Sequence, residues 1–196
     1  TLDDADVVDG GEGTDTVVGI SADLAALTSA ATTSNLTNFE VVQVSNQSGA
    51  DLDVSDIQED GITTVNLAHS GAALVSAGRS ITGEAGSLTV NLGKSAAGNN
   101  STLGNTLTVN DGVDNVGTTD TVTINNTQIN STTGANTNIT NDLTSTGYEN
   151  MVLNTGSGSG NVEQTIATIT LTADAATAAT SLTLKGNNAI DISTQV

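Results

Sequence analysis

Leu88-Thr-Val-Asn-Leu92 alternates aliphatic and polar side chains. The same two-residue period returns at Leu52-Asp-Val54, Leu107-Thr-Val109, Val122-Thr-Ile124, Ile169-Thr-Leu171, Leu182-Thr-Leu184 and Ile190-Asp-Ile192. Successive side chains of a strand point to opposite faces, so each run reads as a strand with one buried face and one wet face. Gly98-Asn-Asn-Ser101 and Gly156-Ser-Gly-Ser-Gly160 lie between such runs and read as turns. Helix is expected to be minor: residues 21–30, with Ser21 as cap and Leu24 and Leu27 on one face, and residues 173–179.

Strand centres in the second half of the chain fall 14 to 18 residues apart (90 to 108, 108 to 123, 153 to 169, 169 to 183). Two-residue Asn-Gly or Asp-Gly hairpin turns are largely missing between them. Near-regular spacing without hairpin turns predicts an all-β chain wound as a parallel β-helix or solenoid. Its coils would be irregular and its helices few and short, with a β-sandwich as the alternative. The absence of proline suits long ladders but does not separate the two.

A longer repeat overlies the short one. Gly13-Thr-Asp15-Thr-Val17 matches Thr118-Thr-Asp120-Thr-Val122, Phe39-Glu40 matches Tyr148-Glu149, and Ile62-Thr-Thr-Val-Asn-Leu67 matches Ile166-Ala-Thr-Ile-Thr-Leu171, at offsets of 105, 109 and 104 residues. Phe39 and Tyr148 are the only two aromatic residues, and both precede a strand-like run. The expected organisation is a first unit over 1–105 and a second, degenerate unit over 106–196, or one continuous solenoid within a longer chain.

Composition narrows the function. Twenty-two acidic residues against three basic ones give a net charge of -19 over 196 residues. A nucleic-acid partner needs clustered Lys and Arg, whereas Arg79, Lys94 and Lys185 lie far apart, so nucleic acid is excluded as a partner. No run of 18 apolar residues is present, so no membrane insertion is expected. The chain has no Cys, which removes disulfides and thiolate metal sites. With so few aromatics, the core is expected to be thin and aliphatic.

The chemistry concentrates in acidic turns. Gly10-Gly-Glu-Gly-Thr-Asp-Thr-Val-Val18 fits the nonapeptide G-G-x-G-x-D-x-U-x at each specified position. Its glycines let the chain turn with carbonyls facing inward, Asp15 adds an anionic oxygen, and Val17 begins a strand. Calcium takes six to eight oxygens in loose geometry, which paired turns of this kind can supply. The candidate ligands are Asp6, Asp9, Gly11, Glu12, Gly13 and Asp15 here, and Asp111, Asp114 and Asp120 in the second half, where the double glycine is lost. Asp51, Asp53 and Asp56 form a third cluster, readable as an ion site or as a solvated acidic edge. His69 is the only histidine, so neither a familiar zinc site nor a Ser-His-Asp triad is expected, and no catalytic residue is assigned. Thr-x-Thr runs at Thr106, Thr121 and Thr168 raise an ice-binding face, although their spacing is uneven for a regular array.

On the nonapeptide, the two aromatic-Glu pairs, the Thr/Asn/Gly/Ala bias, the low Lys content and the absence of Cys, the chain resembles RTX-related, calcium-dependent S-layer proteins of Gram-negative bacteria. The resemblance implies a structural, non-enzymatic protein exported by a type I system. It implies calcium as cofactor, copies of the chain itself as partners in a lattice, cell-surface polysaccharide as anchor, and an extracellular location. A shortage of tandem nonapeptides departs from that pattern. The alternatives are an adhesin or matrix filament built from the same repeats and a β-helical polysaccharide-active enzyme. The enzyme is disfavoured because only two aromatics are available for sugar stacking.

Overall fold

The computed structural model describes residues 7–28, 36–57, 61–68, 74–83, 86–93, 103–112, 119–126, 139, 141–155, 164–173, 180–186 and 189–195. In chain order the elements begin with β1 (Val8–Asp9), β2 (Thr16–Gly19), α1 (Ser21–Thr28), β3 (Leu36–Thr37), β4 (Val41–Val44), β5 (Leu52–Asp53) and α2 (Val54–Ile57). They continue with β6 (Thr64–Leu67), β7 (Arg79–Gly83), β8 (Ser87–Leu92), β9 (Leu107–Asp111) and β10 (Thr121–Asn125). The last are β11 (Leu143–Gly147), β12 (Asn150–Asn154), β13 (Gln164–Ala173), β14 (Ser181–Lys185) and β15 (Ile190–Gln195).

From β4 onward the strands alternate between two sheets. One runs β14-β12-β10-β8-β6-β4-β2, the other β15-β13-β11-β9-β7-β5, and β1 pairs with β3 apart from both. Every strand pairing among the described residues is parallel. That is the parallel β-solenoid expected from the alternating runs, and it displaces the β-sandwich alternative. Both sheets run unbroken across residue 105, since β7 pairs with β9 and β8 with β10.

The meaning of the 14 to 18 residue step changes. A strand pairs with the second strand after it, so that step carries the chain from one sheet to the other, about half a coil. A whole coil takes from 23 residues, Val41 to Thr64, to 36, Leu107 to Leu143. The connections absorb the difference while the strands keep their register.

The core is a stack of aliphatic columns between the sheets. In the seven-stranded sheet, Val17, Val42, Val65, Val90, Ile124, Leu153 and Leu184 are successive register partners. All but Leu184 are buried. β-Branched side chains suit this position because their restricted χ1 matches the pleat and each packs on the residue one coil away. Burying each contributes about 1.5–3 kcal/mol. On the outward side of the same sheet Asn91 donates to Asn66 (2.7 Å) and Asn125 donates to Asn91 (3.1 Å), an amide ladder that locks three coils in line.

The helices differ from expectation in detail. In α1, Leu24 is buried, but Ser21 is not the cap. The Ile20 carbonyl accepts from Asp23 and Leu24, while the Ser21 hydroxyl accepts from the Gly49 amide at 3.0 Å. α1 packs on α2 and on β5, the outermost strand of its sheet. Val54 belongs to α2 rather than to a strand. Ala173 closes β13, and the rest of the 173–179 stretch lies outside the described residues.

Candidate functional site

Four acidic residues stand immediately before strands of the seven-stranded sheet: Asp15 before β2, Glu40 before β4, Asp120 before β10 and Glu149 before β12. Asp15 and Glu40 make the first corner, where they face one another from adjacent coils. The Asp15 amide donates to Glu40 Oε2 at 2.8 Å, and the Glu40 and Val41 amides donate back to the Asp15 carbonyl at 3.2 and 3.1 Å. The second aromatic-Glu pair makes the same clasp: the Asp120 amide donates to Glu149 Oε2 at 3.0 Å, and the Asn150 amide donates to the Asp120 carbonyl at 2.9 Å. A carboxylate that accepts a backbone N–H at the mouth of a strand fixes the register before the ladder begins. The two rings before these glutamates are placed differently. Tyr148 is wholly buried, and Phe39 is half-buried against the core.

In the first corner, Gly11 and Gly13 have φ values of 87° and 130°, which L side chains rarely adopt, so the glycine spacing of the nonapeptide is required by the turn. Asp9 Oδ1 accepts from Asn38 Nδ2 at 2.7 Å and from the Gly11 amide at 2.9 Å. These bonds, the Asn38 amide first, hold the Asp9 carboxyl below the usual carboxylate range. Glu12 is exposed, and Asp15 Oδ2 is buried without a hydrogen-bond partner. Asp6 lies outside the described residues.

The second corner is more strained electrostatically. Asp111, the last residue of β9, is 9% exposed, and neither of its carboxylate oxygens has a hydrogen-bond partner. The Gly112 amide beside it donates instead to the Gly83 carbonyl at 2.8 Å. Burial pushes the Asp111 carboxyl up to about 6, helped by the negative charges of Asp120 and Glu149. The Asp111 and Asp120 carboxyls are close enough to perturb one another, and a proton on the pair relieves their repulsion. Burial, then the Glu149 charge, raises Asp120 as well.

The Tyr148 hydroxyl is buried without a partner, and its pKa is raised by burial and then by Asp111 and Asp120. Two glycines make room for this group. A Cβ at Gly83 would stand 2.6 Å from the Tyr148 hydroxyl, and one at Gly147 (φ 91°) would stand 2.6 Å from Asp111 Cβ. Asp114 lies outside the described residues.

The third cluster has structural partners of its own. Asp51 Oδ1 accepts from the Ser80 amide at 2.9 Å, and Asp53 Oδ1 accepts from the amide (3.2 Å) and hydroxyl of Ser55, capping α2. His69 lies outside the described residues.

Among the described residues no group of three or more His, Cys, Asp or Glu side chains is gathered so as to hold a metal ion. What the second corner offers is a pair of carboxyls and a phenol oxygen packed closely against Gly83 and Gly147. That donor set is all oxygen, as a hard cation requires. Sequence reading missed Tyr148 as a member of this corner, because its distance to Asp111 in the chain carries no signal. It also missed Gln164, whose buried Oε1 accepts from Asn126 Nδ2 and from the Ile139 amide, both at 2.9 Å. No helix among the described residues is long and apolar enough to cross a membrane.

No family model, curated protein or solved structure matches the chain.

Proposed function

We propose that this chain is a structural, extracellular protein of the surface-layer kind, an acidic solenoid that associates with copies of itself when calcium neutralises its corners. The observation that carries the reading is Asp111, a buried carboxyl with no donor, set beside two further acids and an unpartnered phenol. A buried charge without a partner is costly, and only a proton or a cation relieves it. Calcium suits the corner because it accepts carboxylate and carbonyl oxygens in irregular geometry, with Asp111 and Asp120 as the side chains that would hold it and Tyr148 beside them. At the scale of the molecule, a net charge of -19 makes copies repel one another. Divalent ions bound at such corners lower that repulsion more effectively than screening by monovalent salt.

The test is light scattering and calorimetry of the purified chain during titration with calcium chloride, matched in ionic strength by sodium chloride. Calcium is expected to bind, raise the melting temperature and drive assembly where sodium does not. Equal responses to the two salts, or no calcium binding, would overturn the reading.

A further inference from the structure

Sequence spacing makes the threonine runs look irregular, but strand register does not. On the six-stranded sheet Ser80, Thr108, Thr144 and Thr170 are successive register partners, and so are Thr82, Asn110, Thr146 and Thr172. The residues between the two columns, Ile81, Val109, Ser145 and Leu171, alternate with them along each strand and therefore point to the opposite, inward face. Eight polar groups thus stand outward in two columns across β7, β9, β11 and β13, seven of them hydroxyls. Neighbouring strands lie about 4.8 Å apart and alternate residues of a strand about 6.6 Å apart, so the columns form a two-dimensional lattice with those repeats. The connections take up steps of 28, 36 and 26 residues, and the lattice does not register them.

The face has two further properties. None of these eight residues carries a charge, in a chain whose net charge is -19. Each threonine also places a methyl beside its hydroxyl, so apolar and hydrogen-bonding spots alternate over the array. The opposite sheet lacks this regularity. Its outward threonine column, Thr16, Thr64, Thr89, Thr123 and Thr183, is broken by Val41 and Val152, and amides of its neighbouring column are tied to one another.

We propose that the outward face of the six-stranded sheet binds ice, with crystalline water as its ligand. Hydroxyls held at fixed spacing by a rigid ladder hold the first water layer in a lattice. A surface that is already ordered loses little of its own freedom on binding, and in ice the neighbouring waters are ordered by the crystal itself. Charged groups would impose their own hydration geometry; the eight-residue array has none, and the carboxylates in register with it, Asp53 beside Thr82 and Asp191 beside Thr165, stand at its two edges. The proposal is independent of the calcium reading, because it uses no acidic corner.

The experiment is partition of the full chain into slowly grown ice, with ice-crystal shaping observed by microscopy, in calcium-containing and in chelated buffer. Three variants are compared, each checked for fold by circular dichroism. Thr144→Lys with Thr146→Lys places charge in the array. Thr144→Val with Thr170→Val removes hydroxyls while keeping shape and strand preference. Thr123→Lys places the same charge on the other sheet. The wild-type chain and Thr123→Lys should enter ice and shape it, and both array variants should be depleted several-fold. A folded wild-type chain excluded from ice, array variants that partition like wild type, or an equal loss from Thr123→Lys would overturn the proposal. If the lysine pair fails to fold, the valine pair decides.

Discussion

Asp111 shows what a single residue does when the stack gives it no partner. Its carboxyl titrates near 6 in the folded chain, against about 3.9 when unfolded. Between those values the folded chain holds more proton than the unfolded one, so the group's contribution to stability is complete below about pH 4 and is lost as pH rises through about 6. Asp120 shifts in the same direction. In the absence of divalent ions, Asp111→Asn should therefore be more stable than wild type near neutral pH, by about 1–2 kcal/mol once solvent screening is allowed for. The gap should close toward about pH 4. Chemical denaturation across the pH range measures this, and a constant gap would refute the titration account. Added calcium should reverse the order, because only the wild type gains a ligand. The sequence marked Asp111, Asp114 and Asp120 as acids in a turn. It could not show that Asp111 is buried against Gly147 beside Asp120 and Glu149, since that depends on which residues the stack sets beside it.

At the scale of the element, the two faces of β8, β9 and β10 were legible from alternation alone, whereas β14 is exposed on both faces, and the exceptions carry the information. Ser145 stands in the inward column of Leu52, Ile81, Val109 and Leu171, fully buried with its hydroxyl unpartnered. Ser145→Ala should raise stability by about 1 kcal/mol, because an unsatisfied buried hydroxyl is removed at little loss of packing. Gln164, first residue of β13, is the opposite case. Gln164→Leu takes the acceptor from two buried donors, Ile139 N and Asn126 Nδ2. It should lower stability by about 2–4 kcal/mol, since each buried group deprived of its partner costs about 1–3. Urea midpoints of the two variants, moving in opposite directions, would test both, and a neutral Gln164→Leu would mean that water replaces the side chain. Neither position differs in residue type from exposed Ser45 and Ser87 or half-buried Gln47, so only burial reveals its role.

In the whole molecule, stability should vary along the stack, because each coil is supported by its neighbours. Val90 and Ile124 are wholly buried between coils, whereas Leu182 and Leu184 of β14 are 38% and 45% exposed. Amide hydrogen exchange should thus be slowest in β8 and β10 and fastest in β14, with Leu184→Ala nearly neutral and Ile124→Ala costing about 2–5 kcal/mol. Uniform protection from β8 to β14 would mean that the solenoid opens only as one unit. The sequence by itself determined the alternating strands β8, β9 and β10 with their buried faces, the aliphatic core and the glycine turn at Gly11 and Gly13, because alternation and backbone freedom are local properties. It did not show β7 and β11, and the buried face expected for β14 is exposed. It also paired Glu40 with Glu149, which the fold uses in the same clasp. Only the tertiary structure decided the length of a coil, the lattice of outward threonines and the company of Asp111. Those depend on parallel register between strands 23 to 36 residues apart, and connections of unequal length conceal that register from any fixed spacing read along the chain.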